Sequence, residues 1–279
     1  MADALPAELT PAAINALADE LAQETDATLA VSLCDLLLAN RHDLANALYN
    51  RALEARQDYR GAALLPVHAC LRALSAFAAD PRRTDAHALA RAILGRPPQP
   101  RLIAVGGLSG SGKSTLARSL AARLSPPLGA VWLRTDGIRK RLFGLPPEAR
   151  LGEDAYLPAV SGKVYRRLSC TAQFLLEQGL TVVSEATFTR RPSRNAMEKI
   201  AANAGAPFHG FWLEAPIETL MARADARAAA PGNPDASDAT SAIVALQADD
   251  VRGQILWHRL ATDRPPEAIL ADALALLSE

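Results

Sequence analysis

The sequence predicts an α/β domain, a parallel sheet flanked by helices, preceded by a small all-helical domain. Residues 8–94 are rich in Ala and Leu with helical apolar spacing, and from Leu102 short apolar runs alternate with helical stretches. Between these parts, residues 96–101 hold three prolines in four positions, which cannot continue a helix. The expected organisation is therefore a helical domain over 1–95, a linker over 96–101 and an α/β domain over 102–279.

Apolar residues three and four positions apart predict helices in the first part of the chain. They are Leu29, Leu33, Leu36 and Leu37, then Leu71, Leu74 and Phe77. Its cysteines, Cys34 and Cys70, together with Cys170 farther on, are odd in number and lack metal-ligand spacing. We expect reduced structural thiols.

Bulk composition favours a cytoplasmic protein without a membrane segment. The 279 residues are 49% apolar, and no run reaches the roughly 18 consecutive apolar residues of a membrane helix. The N-terminus also lacks the basic start and apolar core of a signal peptide.

The second part contains five candidate strands. They are residues 102–106, 130–135, 180–184, 208–213 and 257–262. Directly after the first strand comes Gly107-x-x-x-x-Gly112-Lys113-Ser114, which fits the phosphate-binding loop without a mismatch, and helical spacing follows it. In such a loop backbone amides surround the phosphates, the lysine adds a mobile positive charge and the serine holds Mg²⁺.

This pattern predicts an ATP site. Its residues are Gly107, Leu108, Ser109, Gly110, Ser111, Gly112, Lys113, Ser114 and Thr115. Residues 96–200 carry 17 basic and 7 acidic side chains, against 8 and 12 before them and 5 and 11 after them. This excess suits a phosphorylated ligand, although several of these arginines could equally lie on solvated helix faces.

Ligands of open α/β sheets gather where the strands end, so acids after strands are informative. Asp136 follows the second strand, with Arg139 one helical turn later. Asp136 could accept the proton of an attacking hydroxyl while Arg139 grips an anionic acceptor, or Asp136 could be only a helix cap. The residues alone leave both interpretations open.

Glu185 follows the third strand. It could hold Mg²⁺ through a water, orient the acceptor, or form an ion pair with Arg190 or Arg191. Farther on, Arg223 and Arg227 lie four apart on a predicted helix beside the Pro/Gly/Asn loop at 230–235. They could close over the triphosphate and neutralise developing charge, or form a solvated face.

Together these segments resemble the P-loop small-molecule and polynucleotide kinases of the adenylate-kinase-like superfamily. They are most similar to the ATP-binding kinase domain fused to aminoglycoside-phosphotransferase-like domains in bacteria. The segments are VGGLSGSGKSTLARS (105–119), LRTDGIRKRLFG (133–144), VVSEATF (182–188), FWLEAPI (211–217), DASD (235–238) and Trp257-His258-Arg259. The resemblance implies Asp136 as general base, Arg139 beside the acceptor, and Arg223 with Arg227 as lid arginines.

Two positions depart from that family. Glu185 stands where the family usually has Asp, and Ala261-Thr262 replaces a more polar strand end. Residues 43–54 and 58–66 resemble the last helices of the aminoglycoside-phosphotransferase-like half of those fusions, but no His-Gly-Asp segment is present. We expect a truncated helical remnant that packs on the kinase or binds a partner, not a second phosphotransferase.

The sequence thus predicts an ATP- and Mg²⁺-dependent kinase that phosphorylates a hydroxyl of a small molecule or a nucleic-acid 5′ end. Lys113, Asp136, Arg139, Arg223 and Arg227 would be catalytic, and Ser114 and Glu185 would bind the metal. Zero net charge argues against long nucleic acid as a partner. A nucleotide-binding regulatory protein and a slow NTPase are the alternatives, and the oligomeric state is not indicated.

Overall fold

The structure is a computed structural model, and it describes residues 11–21, 25–56, 59–95, 99–146, 149–229 and 239–278. The chain forms two compact units. The helical unit comprises Met1–Pro100 with Ala121–Val131 and Gln178–Thr181, and the sheet unit comprises Arg101–Leu120, Trp132–Glu177 and Val182–Glu279. Residues 96–98 of the predicted linker and the predicted loop at 230–235, with Asp235–Asp238, lie outside the described residues.

Five helices begin the chain. They are α1 (Pro11–Leu21), α2 (Asp26–Leu38), α3 (His42–Arg56), α4 (Leu64–Ala79) and α5 (Thr84–Leu94), with a 3₁₀ turn at Arg60–Ala63. The apolar positions predicted on α2 are all buried, and so is its Cys34. On α4, by contrast, Leu71 and Leu74 are exposed, because the opposite face, with Leu65 and Ala69, packs inward.

Asparagines of α3 hold the later segment of the helical unit. Nδ2 of Asn46 donates to the carbonyl oxygens of Leu128 at 2.8 Å and Ala130 at 3.1 Å, and Nδ2 of Asn50 donates to Ala130 at 3.1 Å. These buried amides donate to carbonyl groups of the segment just before residue 131. They explain why residues 121–131 group with the helices although the sequence places them inside the α/β part.

One stretch, Arg60–Ala79, is long and apolar enough to cross a membrane, with a mean hydropathy of 1.5. Length and composition alone are weak evidence for a membrane segment, since core helices of globular proteins pass the same test.

The second part alternates strands and helices. Its strands are β1 (Leu102–Gly107), β2 (Val131–Arg134), β3 (Val182–Glu185), β4 (Phe208–Glu214) and β5 (His258–Ala261). Its helices are α6 (Lys113–Arg123), α7 (Thr135–Leu142), α8 (Pro158–Glu177), α9 (Arg191–Asn203), α10 (Ile217–Ala229), α11 (Ser241–Asp249) and α12 (Pro266–Leu276), with a 3₁₀ turn at Glu153–Tyr156. All five predicted strands are present.

The strands form one sheet in the order β2-β3-β1-β4-β5. Strand β1 pairs in parallel with β3 and β4, and β4 pairs in parallel with β5. Every residue of β1 is buried, as expected for a central strand covered by helices on both faces. The predicted fold class, a parallel-sheet α/β domain with helices before it, is confirmed. In the register, Val105 lies opposite Glu185, so the carboxyl ends of β1 and β3 meet.

Candidate active site

The phosphate loop joins the end of β1 to the start of α6. Gly107 has φ +139°, and a Cβ there would lie 2.5 Å from the carbonyl oxygen of Leu213, so both backbone and space require glycine. Gly112 has φ +85°, yet a Cβ there would meet nothing within 4 Å. The loop therefore presses against β4 on one side and leaves open space beside the N-terminus of α6. This is the shape of an anion cradle.

Lys113 is the first residue of α6, and its Nζ donates to the carbonyl oxygen of Leu108 at 2.8 Å. Burial lowers the pKa of Lys113 to about 8; Glu185 raises that pKa and Arg227 lowers it further. A buried ammonium with a depressed pKa is one whose charge is poorly compensated by the chain. It would be stabilised by an anion in the cradle.

Ser114 and Glu185 meet at the carboxyl ends of β1 and β3. Oγ of Ser114 donates to Oε1 of Glu185 at 2.6 Å, and Nε1 of Trp132 donates to Oε2 at 3.1 Å. Burial raises the pKa of Glu185, while Arg134 and Lys113 lower it. The carboxylate is thus oriented from both sides.

A hydroxyl and a carboxylate are hard oxygen donors of the kind that Mg²⁺ takes together with phosphate oxygens and waters. Ser114 and Glu185 fit that requirement. Within the described ranges, no group of three or more His, Cys, Asp or Glu side chains is placed to hold a metal ion by itself. A metal at this position would therefore depend on the nucleotide for part of its ligands.

The ion pair considered for Glu185 is wrong in the case of Arg190. The guanidinium of Arg190 instead forms a two-pronged pair with Asp250, at 2.9 Å for Nη2 and 3.0 Å for Nε. Arg190 follows the loop after β3 and pairs at the end of α11, whereas the cations that act on Glu185 are Arg134 on β2 and Lys113.

Asp136 is the second residue of α7, which begins where the sequence predicts a helix. The helix-cap interpretation fails, because Arg134 occupies the cap position. The Asp136 carboxylate lies 3.2 Å from Nζ of Lys140 and 3.8 Å from Nη2 of Arg134, and one third of the side chain is exposed. It is therefore held by two cations and still reachable from solvent. Asp136 also lies close enough to Glu185 to raise its pKa.

Arg139 is engaged by contacts within the chain, and its expected role beside the acceptor stays a prediction. Its side chain is buried; Nη1 donates to the carbonyl oxygen of Ala155 and to Oγ of Ser161 at 3.2 Å. The guanidinium also stacks on Tyr156, 4.8 Å from the ring centre. Arg139 thus fastens α7 to the 3₁₀ turn and to α8, a contact that local sequence could not reveal.

Arg223 and Arg227, the two arginines of α10 expected to belong to a lid, have different surroundings. Nη2 of Arg223 donates to the carbonyl oxygen of Thr262 at 2.8 Å, and the side chain lines a cavity of about 290 Å³. Nε and Nη2 of Arg227 are buried and have no hydrogen-bond partner within the described chain. Since Arg227 lowers the pKa of Lys113, its charge lies near the phosphate loop. Of the two arginines, it is Arg227 that acts on the pKa of Lys113.

The cavity beside the loop is lined by Gly112 and Thr115 of the loop and α6, by Arg223, and by residues after β5. Those last residues include Thr262, Arg264 and Ile269. Sequence reasoning did not identify this wall, and it also missed Lys140. The spacing from Asp136 to Lys140 on a predicted helix could have revealed the ion pair.

Known proteins resemble this chain in sequence. An uncharacterized protein of Mycobacterium tuberculosis is 33% identical over 180 residues, which are 62% of this chain and 34% of that protein. The adenylyl-sulfate kinase of Myxococcus xanthus is 32% identical over 120 residues, covering 42% of this chain and 59% of the kinase. The chain thus spans about a third of the length of its mycobacterial relative.

Among solved structures, the adenylyl-sulfate (APS) kinase CysC of Mycobacterium tuberculosis in complex with AMPPNP and APS is similar, with a TM-score of 0.50 and 25% identity. The similarity covers 66% of this chain and all of that one. These relatives support a P-loop kinase domain. The AAA domain family matches residues 102–253. Because these residues make up more than half of the chain, the chain belongs to the AAA domain family.

Proposed function

We propose that the protein is an ATP- and Mg²⁺-dependent kinase that transfers the γ-phosphoryl group of ATP to a hydroxyl. The observation that carries the proposal is the position of Glu185. Its carboxylate bonds Ser114 of the phosphate loop, and its electrostatic environment includes Asp136 of α7. A phosphate cradle and an accessible carboxylate therefore border the same strand end, as transfer between two bound molecules requires.

In this proposal the base and sugar of ATP occupy the cavity, and its phosphates occupy the cradle formed by the phosphate loop. Arg223, held by Thr262, forms one wall of a cavity whose 290 Å³ is close to the lower limit of about 300 Å³ for small-molecule pockets. That volume suits the base and sugar, with the phosphates in the open cradle beside Gly112.

The loop amides, Lys113 and Arg227 bind the phosphates and stabilise charge that develops during transfer. Ser114 and Glu185 would hold Mg²⁺, which neutralises phosphate charge when bound. Asp136 accepts the proton of the attacking hydroxyl as the oxygen–phosphorus bond forms and the bond to ADP breaks. Lys140 and Arg134 keep the Asp136 carboxylate facing the acceptor.

An acceptor panel tests this proposal. ADP release from Mg·ATP is measured with adenylyl sulfate, gluconate, nucleosides, sugars and a 5′-hydroxyl oligonucleotide, since two matched proteins are adenylyl-sulfate kinases. One acceptor class should raise ADP release well above the rate with water and gain a phosphoryl group detectable by mass. Equal ADP release with and without every acceptor would favour a slow NTPase. Binding of ATP without any turnover would favour a regulatory protein.

A further inference from the structure

Gln247 of α11 bonds directly to the phosphate loop. Its Oε1 accepts a hydrogen bond from the backbone N–H of Ser109 at 2.8 Å. A backbone N–H can only donate, so the side-chain atom that meets it must be the carbonyl oxygen. The orientation of the amide is therefore fixed by chemistry, and its Nε2 group projects away from Ser109.

The Nε2 group carries two N–H donors. Neither makes a hydrogen bond with any part of the described chain, whereas the oxygen of the same amide is satisfied. The amide is thus held at Oε1, and its Nε2 group, which lies beside the phosphate loop, can donate to a ligand.

The contact identifies which part of a nucleotide Gln247 would meet. Ser109 follows Leu108, whose carbonyl oxygen accepts from Nζ of Lys113. In phosphate loops the amides next to the helix surround the inner phosphates and the lysine reaches the outer ones. Gln247 and Lys113 therefore bond to adjacent residues of the loop, Ser109 and Leu108, on the side where the lysine would meet the outer phosphates. The guanidinium of Arg227 lies near the same lysine, with buried atoms that the described chain leaves without a partner.

Packing holds α11 in this position. Val244 of α11 lies in a buried cluster with Leu220 and Ala224 of α10, and Leu108 of the loop packs against that cluster. At the end of α11, Asp250 pairs with Arg190 and accepts from Thr189. Because both ends are fixed, the Gln247 amide is set in place before a ligand arrives.

We infer that Nε2 of Gln247 donates a hydrogen bond to the terminal phosphoryl group of ATP, so that Gln247 distinguishes a nucleoside triphosphate from a diphosphate. The inference rests on the proposed binding of ATP. Gln247 is then a nucleotide-binding residue of α11 that contacts the third phosphate, alongside the charges of Lys113 and Arg227.

Two variants separate the two ends of the amide. Gln247→Glu keeps an oxygen for the Ser109 N–H but replaces the donors with a negative charge that repels a phosphoryl group. Gln247→Leu removes both functions at similar volume. Gln173→Leu is the matched control, because Gln173 bonds only to Glu177 on the surface of α8 in the described chain.

Calorimetry with Mg·AMPPNP and Mg·ADP provides the measurement. Both Gln247 variants should lower AMPPNP affinity by about tenfold, with Glu the weaker binder, since a hydrogen bond to a charged group is lost. ADP affinity should change by less than about twofold, because ADP lacks the group concerned, and Gln173→Leu should change neither.

Equal losses for AMPPNP and ADP would overturn the inference, since Gln247 would then only shape the loop. Unchanged AMPPNP affinity in Gln247→Glu would overturn it as well. If the unmodified protein bound neither nucleotide, the proposed function would fail together with the inference. If it bound both and only the selectivity of the variants stayed unchanged, the inference alone would fail.

Discussion

Oγ of Ser114 and Oε1 of Glu185 lie 2.6 Å apart and join the phosphate loop to the end of β3. The neighbouring Oε2 accepts from the indole of Trp132. Two donors from different elements thus fix one buried carboxylate at the carboxyl end of β3.

Glu185→Gln should weaken metal-dependent nucleotide binding, because an amide is a poorer ligand for Mg²⁺ and one of its two ends can no longer accept. We expect turnover with the active acceptor to fall by about a hundredfold, and the Mg²⁺ concentration for half-maximal turnover to rise. A magnesium titration at saturating ATP measures both. Glu198→Gln is the matched control, since Glu198 likewise accepts from an indole, that of Trp257, at 2.9 Å.

The sign of the pH effect follows from burial. The pKa of Glu185 is raised, so its carboxylate takes up a proton at higher pH than an exposed glutamate does. The Mg²⁺ requirement should therefore increase as pH falls, beginning above the usual range of a glutamate. A Mg²⁺ requirement that stays constant over the whole acidic range in which the protein remains folded would argue against a metal role for Glu185.

The lowered pKa of Lys113 predicts that nucleotide affinity decreases at alkaline pH. Its pKa of about 8 in the free protein means that the ammonium form dominates at pH 7 and is lost above pH 8. A polyphosphate binds the ammonium form, so AMPPNP affinity should be level up to about pH 7.5 and then fall by up to about tenfold per unit. At pH 8.5 binding should take up a proton, which appears as a binding enthalpy that depends on the buffer. Lys113→Arg should abolish that uptake, because arginine does not titrate there.

Local pattern was sufficient for the strands, the phosphate loop and the helix that carries Asp136, because each is set by residues close in sequence. The contacts of Arg139 could not be predicted from local sequence. Its spacing from Asp136 is right for a shared helix face, but its partners, Ala155 and Ser161, come from a later segment. Gln247 is farther still from its partner Ser109, and no local signal indicates the bond. Such contacts depend on how the whole chain packs.

Arg139→Leu should destabilise the sheet unit and leave nucleotide binding intact. The change leaves the carbonyl oxygen of Ala155 without its donor and removes the stacking on Tyr156, a loss of about 2–3 kcal/mol. Thermal unfolding should shift down by roughly 5 °C. Arg167→Leu, on the exposed surface of α8, serves as the control and should shift it little. An unshifted transition together with a raised acceptor KM would instead support the predicted role of Arg139 beside the acceptor.

Asp136→Asn should lower turnover with the active acceptor by about a hundredfold or more, the range of a lost general base. AMPPNP affinity should change by less than about twofold, because the partners of Asp136 are Lys140 and Arg134 and not the phosphate loop. Steady-state kinetics and calorimetry on the same preparation separate these two effects. Asp43→Asn is the matched control, since Asp43 is likewise the second residue of its helix, α3, and is exposed.

The ion pair between Lys140 and Asp136 can be tested separately from the Asp136 carboxylate itself. The Lys140 side chain is almost fully buried and pairs with Asp136 one turn earlier on α7. Lys140→Met removes the buried cation that holds the Asp136 carboxylate in position, so turnover with the active acceptor should fall while AMPPNP affinity stays within about twofold. Lys140→Arg keeps a cation at this place and should retain more of the turnover. If Asp136→Asn kept full turnover, another group would have to accept the hydroxyl proton; if Lys140→Met kept it, the ion pair would not position Asp136.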